Sequence, residues 1–276
     1  MFNGHYINLS KDSYRRSQLE ANLKELGLTE FIKRFQATPW NGKAPNGITA
    51  PEYGTNLSHL ELIANQHDDF GLIFEDDVKL TPHFPNVIRL LPRSLYEQND
   101  LVFFGYGINA FDFQLIKRLL DVVNTSEHDL YFPGKKVSNL QVLDCKFFFR
   151  HGLHAYVLNK NSVQKILDLH DQQMATGCGL PLDLILRKGF CEGHLKGAVV
   201  FPPVVELDLE KVSNCVERDT QNGTVFHERM ANVFVKKYCS HTVSNRTPEM
   251  LHNEQSDRAN LIVDILRDML LPANAK

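Results

Sequence analysis

The sequence predicts an α/β fold, in which a mostly parallel sheet is covered by helices and a helical appendage follows. Three observations predict it. Short apolar runs alternate with segments long enough to be crossover helices, the connection that parallel strands require. The run Gly71-Leu72-Ile73-Phe74 reads as a buried strand and ends abruptly at three carboxylates. Beyond about residue 214 the strand signal stops, so residues 1–214 read as one α/β unit and 215–276 as a helical extension.

Gly4-His5-Tyr6-Ile7-Asn8-Leu9 forms the first strand. Lys11-Asp12-Ser13 then offers a turn and cap for a helix over 14–26. Leu19, Leu23 and Leu26 recur there at helical spacing, Arg15, Arg16, Glu20, Lys24 and Glu25 take solvated positions, and Gly27 ends it. Residues 31–37 suit a second strand, and 39–51, rich in Gly, Pro and Asn, a loop. Thr55 or Asn56 caps a helix carrying Leu57, Leu60, Leu62 and Ile63, before the strand at 70–74. A helix at 82–91, a strand at 100–105, a helix at 111–123 and a polar loop at 124–136 come next. Phe147-Phe148-Phe149 and residues 154–158 have strand composition, and 159–169 follows as a helix. Pro181 opens a short helix, and the strand at 198–201 is stopped by Pro202 and Pro203. In the extension, 228–238 and 256–271 read as helical.

Composition excludes several function classes. Hydrophobic content of 43% and charged content of 23% are those of an ordinary soluble globular protein. A net charge of -3 provides no footprint for nucleic acid. The chain has no long apolar span and no signal-peptide pattern near its start, so a cytoplasmic location is expected. Cys145, Cys178, Cys191, Cys215 and Cys239 are odd in number and form no C-x-x-C pair, which argues for reduced, mostly buried thiols instead of disulfides or zinc.

Glu75-Asp76-Asp77 carries the chemistry. Three adjacent acids where a strand leaves a sheet repel one another, and a hard divalent cation with oxygen ligands relieves the repulsion. Mg²⁺ or Mn²⁺ held there leaves positions open for diphosphate oxygens, at the strand end where α/β sheets bind ligands. A solvated acidic turn is the plain alternative.

Neighbouring segments bear on the choice. Tyr6-Ile7-Asn8-Leu9 with Arg15-Arg16 and Leu26-Gly27, Gly54-Thr55-Asn56-Leu57-Ser58-His59-Leu60, Leu72-Ile73-Phe74-Glu75-Asp76-Asp77-Val78, Gly152-Leu153-His154-Ala155-Tyr156-Val157-Leu158, Leu180-Pro181-Leu182-Asp183 and Phe201-Pro202-Pro203-Val204-Val205 come in a fixed order. Together they resemble glycosyltransferase family 25, the lipooligosaccharide-type galactosyltransferases and their collagen-modifying relatives. Thr55, Leu153 and the loop Ala37-Thr38-Pro39-Trp40-Asn41-Gly42 depart from the family's pattern. The resemblance implies a GT-A-type fold, a UDP-sugar donor, a divalent metal with Mn²⁺ favoured, and inversion at the anomeric carbon.

Residue roles follow as expectations. Asp77 contacts the metal directly, while Glu75 and Asp76 share the remaining tasks of second ligand, metal-bound water and ribose contact. Asp183, on a Pro-initiated helix start, is the candidate general base; its plain alternative is a first-turn acid favoured by the helix dipole. His154 is placed to bind a phosphate oxygen or a donor-sugar hydroxyl, or is a core histidine bonded to backbone. Ser58 and His59 are read as helix-start residues near the donor; adjacency on a helix cannot make them a nucleophile and base. Asn8, with Leu9 at the end of the first strand, reads uracil or ribose. Arg15 or Arg16 reaches the diphosphate through its forked donors. Trp40 either stacks on a sugar ring or plugs a core edge.

The expected activity is metal-dependent transfer of a hexose, galactose first, from UDP to a hydroxyl of a lipopolysaccharide-type glycan. A metal-dependent nucleotide-sugar hydrolase or nucleotidyltransferase, and a non-catalytic glycan-binding protein, are the rivals. The amphipathic stripe Leu261, Ile262, Ile265, Leu266, Met269 and Leu270 suits packing on its own domain, on a second copy, or peripherally on the inner face of a membrane. Asp257, Asp264 and Asp268 weaken the membrane reading.

Overall fold

The computed structural model describes residues 2–37, 39–108, 112, 114–115, 117–119, 130–132, 135–137 and 140–208. The expected extension at 215–276, Cys215, Cys239 and most of the helix expected at 111–123 lie outside the described residues.

In chain order the elements are β1 (Gly4–Leu9), α1 (Ser13–Glu25), β2 (Ile32–Ala37), α2 (Ala50–Ala64), β3 (Phe70–Glu75), β4 (Val78–Leu80), α3 (Phe84–Leu90), α4 (Arg93–Gln98), β5 (Leu101–Gly107), β6 (Leu130–Phe132), β7 (Lys135–Val137), β8 (Gln141–Asp144), α5 (Cys145–Phe148), β9 (His151–Asn159), α6 (Val163–Ala175), α7 (Leu182–Glu192), β10 (Gly197–Phe201) and β11 (Val205–Leu207). The main sheet has the order β2-β1-β3-β9-β5-β10-β8. β2, β1, β3, β5 and β10 run one way, while β9 and β8 are antiparallel to their neighbours. The sheet is therefore mixed and mostly parallel, flanked by helices, as expected of a GT-A-type domain.

Two apolar cores lie on its two faces. One gathers Ile7, Ile63, Ile73, Phe103, Tyr156, Leu186 and Phe190, packing α2 and α7 against the sheet. The other gathers Tyr6, Leu19, Leu23, Leu72, Phe74, Phe84 and Val102 under α1 and α3. Successive residues of β3 alternate between these cores, which explains why that strand reads as one continuous apolar run.

Three local expectations need correction. α2 starts at Ala50, not near Thr55, because Thr49 and Glu52 form a capping box and Pro51 sits in the first turn. Ser58 and His59 consequently lie in the body of that helix. Phe147 and Phe148 belong to a single helical turn capped by Asp144, not to a strand; Phe149 follows it, is buried, and packs 4.4 Å from the Phe103 ring. Of the described cysteines, Cys145 is buried but Cys178 and Cys191 are exposed free thiols. The short strands β4 and β11 pair antiparallel just beyond the acids, and the Asp208 N–H donates to the Asp77 carbonyl at 2.7 Å. That pairing fixes the backbone leaving the acidic turn.

Candidate active site

Strand register assembles the site. β1 pairs with β3 so that Ile7 faces Glu75, which puts Asn8 beside Asp76 one residue on. On the other side, antiparallel β9 places Tyr156 opposite Ile73 and Ala155 opposite Phe74, so the next pair is His154 with Glu75. Directly opposed residues share a face of the sheet, as do residues two apart. Tyr156, His154 and Glu75 therefore project together under α2, where His59 descends on them.

Each acid meets a different environment. Glu75 lies between two imidazoles, with His59 Nε2 at 3.3 Å from one carboxylate oxygen and His154 Nδ1 at 3.0 Å from the other. Burial would push its carboxyl up, but the bonds from His154 and His59 hold it well below the usual carboxylate range. The Tyr156 hydroxyl is 2.9 Å from His59 Nδ1. Burial and the Glu75 charge push the Tyr156 phenol well up, so its hydroxyl stays protonated beside Nδ1 while Nε2 faces the Glu75 carboxylate. Asp76 is buried and accepts from Asn8 Nδ2 at 2.6 Å and from Arg15 at 3.1 Å.

Asp77 is the exception. Its Oδ1 is buried without a hydrogen-bond partner, and its Oδ2 lies 3.7 Å from Arg15. Burial and the neighbouring Glu75 charge push its carboxyl up to about 6. Glu75, Asp77 and His154 each offer one ligand atom, and these atoms lie within 4.8 Å of one another. A buried carboxylate oxygen with no partner, next to a second carboxylate and an imidazole, fits a divalent cation.

A cavity of about 270 Å³ opens onto Glu75 and Asp77, while His154, Asn8, Arg16 and Asp183 are not among its lining residues. Among the residues expected from sequence, Leu9, Arg15, Ser58, His59, Glu75, Asp76 and Asp77 line it. Of the two arginines, Arg15 turns inward and Arg16 pairs with Glu20 at the exposed surface, 2.9 Å away. Helical spacing explains the choice: Arg15, Leu19 and Leu23 are all buried and form one i, i+4, i+8 stripe, and Arg16 lies a step round the helix. Arg15 was expected to be solvated; the structure buries it. The Asn8 amide donates to the Asp12 carbonyl as well as to Asp76, and its oxygen accepts from Arg34 at 3.0 Å. It holds the acidic turn to the loop after β1. Ser58 gives its hydroxyl proton to the Gly54 carbonyl, a helix-internal bond.

Asp183 sits in the first turn of α7. One carboxylate oxygen accepts from the Gly152 N–H at 2.9 Å and the other from the Leu184 N–H at 2.7 Å. Gly152 has φ +88, a left-handed conformation, and a Cβ there would strike the His154 ring. Burial pushes the Asp183 carboxyl up, the two N–H bonds oppose this, and the Glu75 charge adds to the rise. Asp183 is thus linked through Gly152 to the strand that carries His154.

Sequence reading missed Asn56, Tyr156 and Arg34. The buried Asn56 amide donates to the Leu180 carbonyl at 2.8 Å and accepts from the Leu182 N–H at 2.8 Å. It fastens the entry of α7 to α2 and so sets where Asp183 begins its turn. A polar residue amid the helical apolar positions Leu57, Leu60 and Ile63 was the available signal, obscured by reading Asn56 as a cap.

Comparison with known proteins bears on this arrangement. The family model for glycosyltransferase family 25, described as an LPS biosynthesis protein, matches residues 30–186. The chain belongs to glycosyltransferase family 25. This stretch includes the acidic turn, His59, His154 and Asp183. No curated protein matches. Among solved structures, the galactosyltransferase LgtC, crystallised with donor and acceptor sugar analogs, is 13% identical, with 89% of this chain and 98% of that chain covered and a TM-score of 0.39. The glycosyltransferase GlyE of Streptococcus pneumoniae TIGR4 is 7% identical over 88% of this chain and 66% of that one, with a TM-score of 0.41. The inositol-1-phosphate CTP transferase of T. maritima is 10% identical over 70% and 64%, with a TM-score of 0.32. At these scores the likenesses carry no argument. Among the described residues, no helix is long and apolar enough to cross a membrane.

Proposed function

We propose that this glycosyltransferase moves a hexose, galactose first, from a UDP-sugar to a hydroxyl of a lipopolysaccharide-type glycan, with inversion and dependence on a divalent metal. The observation that carries the reading is the convergence of Glu75, Asp77 and His154, with both carboxylates at a cavity that Arg15 also lines. Residues 1–214 form the catalytic unit in this reading, and 215–276 an appendage. The protein acts in the cytoplasm, and peripheral contact with the membrane bearing its acceptor accords with that reading.

Glu75, Asp77 and His154 would hold the metal, and a set mixing carboxylates with an imidazole suits Mn²⁺ better than Mg²⁺. When bound, the metal neutralises charge on the departing diphosphate. Arg15 adds a fixed cation at the same end of the cavity. His59 and Tyr156 orient Glu75, while Asn8 and Arg15 hold Asp76 toward the nucleotide. Asp183 takes the proton of the acceptor hydroxyl at a carboxylate oxygen. The acceptor oxygen then bonds to the anomeric carbon as the bond from that carbon to the phosphate oxygen breaks, and UDP leaves with the electron pair.

The test is UDP release from UDP-galactose with and without Mn²⁺ and a glycan acceptor. Release that needs both supports the reading. Release at the same rate without acceptor marks a hydrolase, and tight glycan binding without turnover marks a binding protein.

A further inference from the structure

We infer that Trp40 is the stacking platform for the nucleobase of the donor. The inference rests on the reading of the cavity as a nucleotide-sugar site and adds a specificity-determining residue to it. Trp40 lies in the loop 39–42, where this chain departs from the family pattern, and it is among the residues lining the same cavity as the acids, while also bordering a second, more open hollow with Lys43, Pro45 and Tyr53. It is exposed, and its ring and that of Tyr53 meet at a near-perpendicular angle with centroids 5.1 Å apart. That contact restrains the indole.

Position separates a base from a sugar ring as the occupant. Trp40 packs on Gly54, where an added Cβ would come 3.2 Å from the Trp40 Cβ, a tight contact that glycine avoids. His59, which touches Glu75, is five residues further along α2, roughly 7.5 Å at 1.5 Å per residue. The loop leaves β2, which is separated from β3 and its acids by β1. Trp40 is thus displaced from the metal-binding carboxylates across β1, whereas Asp183 and His154 lie on the β9 side. The transferred sugar must sit beside the base that activates the acceptor, on the Asp183 side. What remains for Trp40 is the other end of the donor, a ribose away from the diphosphate that the metal would hold.

The lining agrees. Beside Trp40 the cavity lining includes the apolar Ala37, Pro39, Pro51 and Gly54, with Asn41 adding an amide that offers both donor and acceptor to a base edge. A flat aromatic ring between apolar walls stacks a base through its π-face.

Trp40 is the sole tryptophan of the chain, so its emission reports on the site directly. Full-length protein with Mn²⁺ is titrated with UDP, following binding by calorimetry and tryptophan fluorescence together. Saturation with UDP is expected to quench or shift the emission, whereas galactose alone leaves it unchanged. Trp40→Ala is expected to weaken UDP binding by roughly 5- to 150-fold, the range of base–aromatic stacking, and Trp40→Phe recovers most of the loss. An emission spectrum unmoved at saturating UDP, or a Trp40→Ala variant that binds UDP as tightly as the wild type, overturns the inference while leaving the donor reading intact. Absence of UDP binding by calorimetry overturns both.

Discussion

Truncating Asn56 to alanine removes both hydrogen bonds that fasten the entry of α7 to α2, and with them the restraint on Asp183. The Leu182 N–H loses its acceptor in a fully buried position, and the Leu180 carbonyl loses its donor in a partly buried one. An unsatisfied buried backbone group costs about 1–3 kcal/mol, and water can reach the carbonyl more easily than the N–H, so the loss is about 2–4 kcal/mol. For a domain of this size that lowers Tm by roughly 5–15 °C. The kinetic effect is separate. Asn56 does not line the cavity, so KM for the UDP-sugar should hold within about twofold, while displacement of Asp183 lowers kcat by about 10- to 100-fold. Asn56→Asp divides the two bonds, keeping an acceptor for Leu182 but setting a carboxylate oxygen against the Leu180 carbonyl. Thermal unfolding and steady-state kinetics on both variants decide the matter. An Asn56→Ala enzyme with normal kcat, or one whose only change is a higher donor KM, would refute the idea that this amide positions the base.

Asp77→Asn should abolish Mn²⁺ stimulation of UDP release, and a thermal-shift titration should lose its Mn²⁺ response, because the oxygen with no protein partner is no longer an anion. Asp183→Asn should lower kcat by about 10²–10⁴-fold without weakening UDP binding measured by calorimetry. In the wild type, Asp183 must be ionised to accept a proton and its carboxyl is raised above the ordinary value. At saturating Mn²⁺, which holds Asp77 ionised, the acid limb of kcat/KM should therefore fall as pH drops through a pKa raised above the ordinary aspartate value, and the residual activity of Asp183→Asn should lack that limb. Asp100→Ala should cost about 2–4 kcal/mol in urea unfolding, because the buried carboxylate accepts from Ser162, Lys165 and the Lys196 N–H. Burial pushes the Asp100 carboxyl up, but these donors bring it below its ordinary value. Its contribution is present above the unfolded pKa and disappears as pH falls through the folded one, so wild type and variant should converge in acid.

The alternation of strands and helices was legible because each buried strand here is a short apolar run between breakers, and β3 announces itself by ending on Glu75. The reversed direction of β9 was not, since strand composition is the same either way and only the path of the chain decides it. Yet that reversal sets His154 against Glu75. The Thr49–Glu52 capping box was present in the sequence and was passed over for the nearer Thr55. Arg15 shows a subtler failure. Charge argued for solvent, whereas its spacing from Leu19 and Leu23 placed it on the buried stripe, and the acids at the end of β3 supplied the partner that made burial tolerable. The position of Asn56 among apolar helical residues marked it as a buried polar group, but nothing local could name Leu180 and Leu182 as its partners.

The acidic turn is not relieved of its charge in one way, as its sequence suggested, but in three. Glu75 is held by two histidines, one of them bonded in turn to a tyrosine; Asp76 is held by an arginine and an amide; Asp77 faces Arg15 at 3.7 Å and keeps one oxygen without a partner. A turn whose task was only to end a strand would have no reason to bury one carboxylate and half-bury two more, because solvation would stabilise them at no cost. Withdrawing them from solvent with two neutralised, while the third lines a cavity and keeps a buried oxygen without a partner, instead concentrates negative potential on Asp77, with His154 and Glu75 in ligand range of that carboxylate. The hydrogen bonds to Glu75 and Asp76 stiffen the site before anything binds, so little reorganisation remains when a cation and a diphosphate arrive. On this argument the residues around the acids matter as much as the acids. Tyr156→Phe, which touches neither donor nor metal, should weaken Mn²⁺ binding by removing the hydroxyl that anchors His59 and so loosening its bond to Glu75; isothermal titration of Mn²⁺ that gives the same affinity for variant and wild type would show that the site is not held in this way.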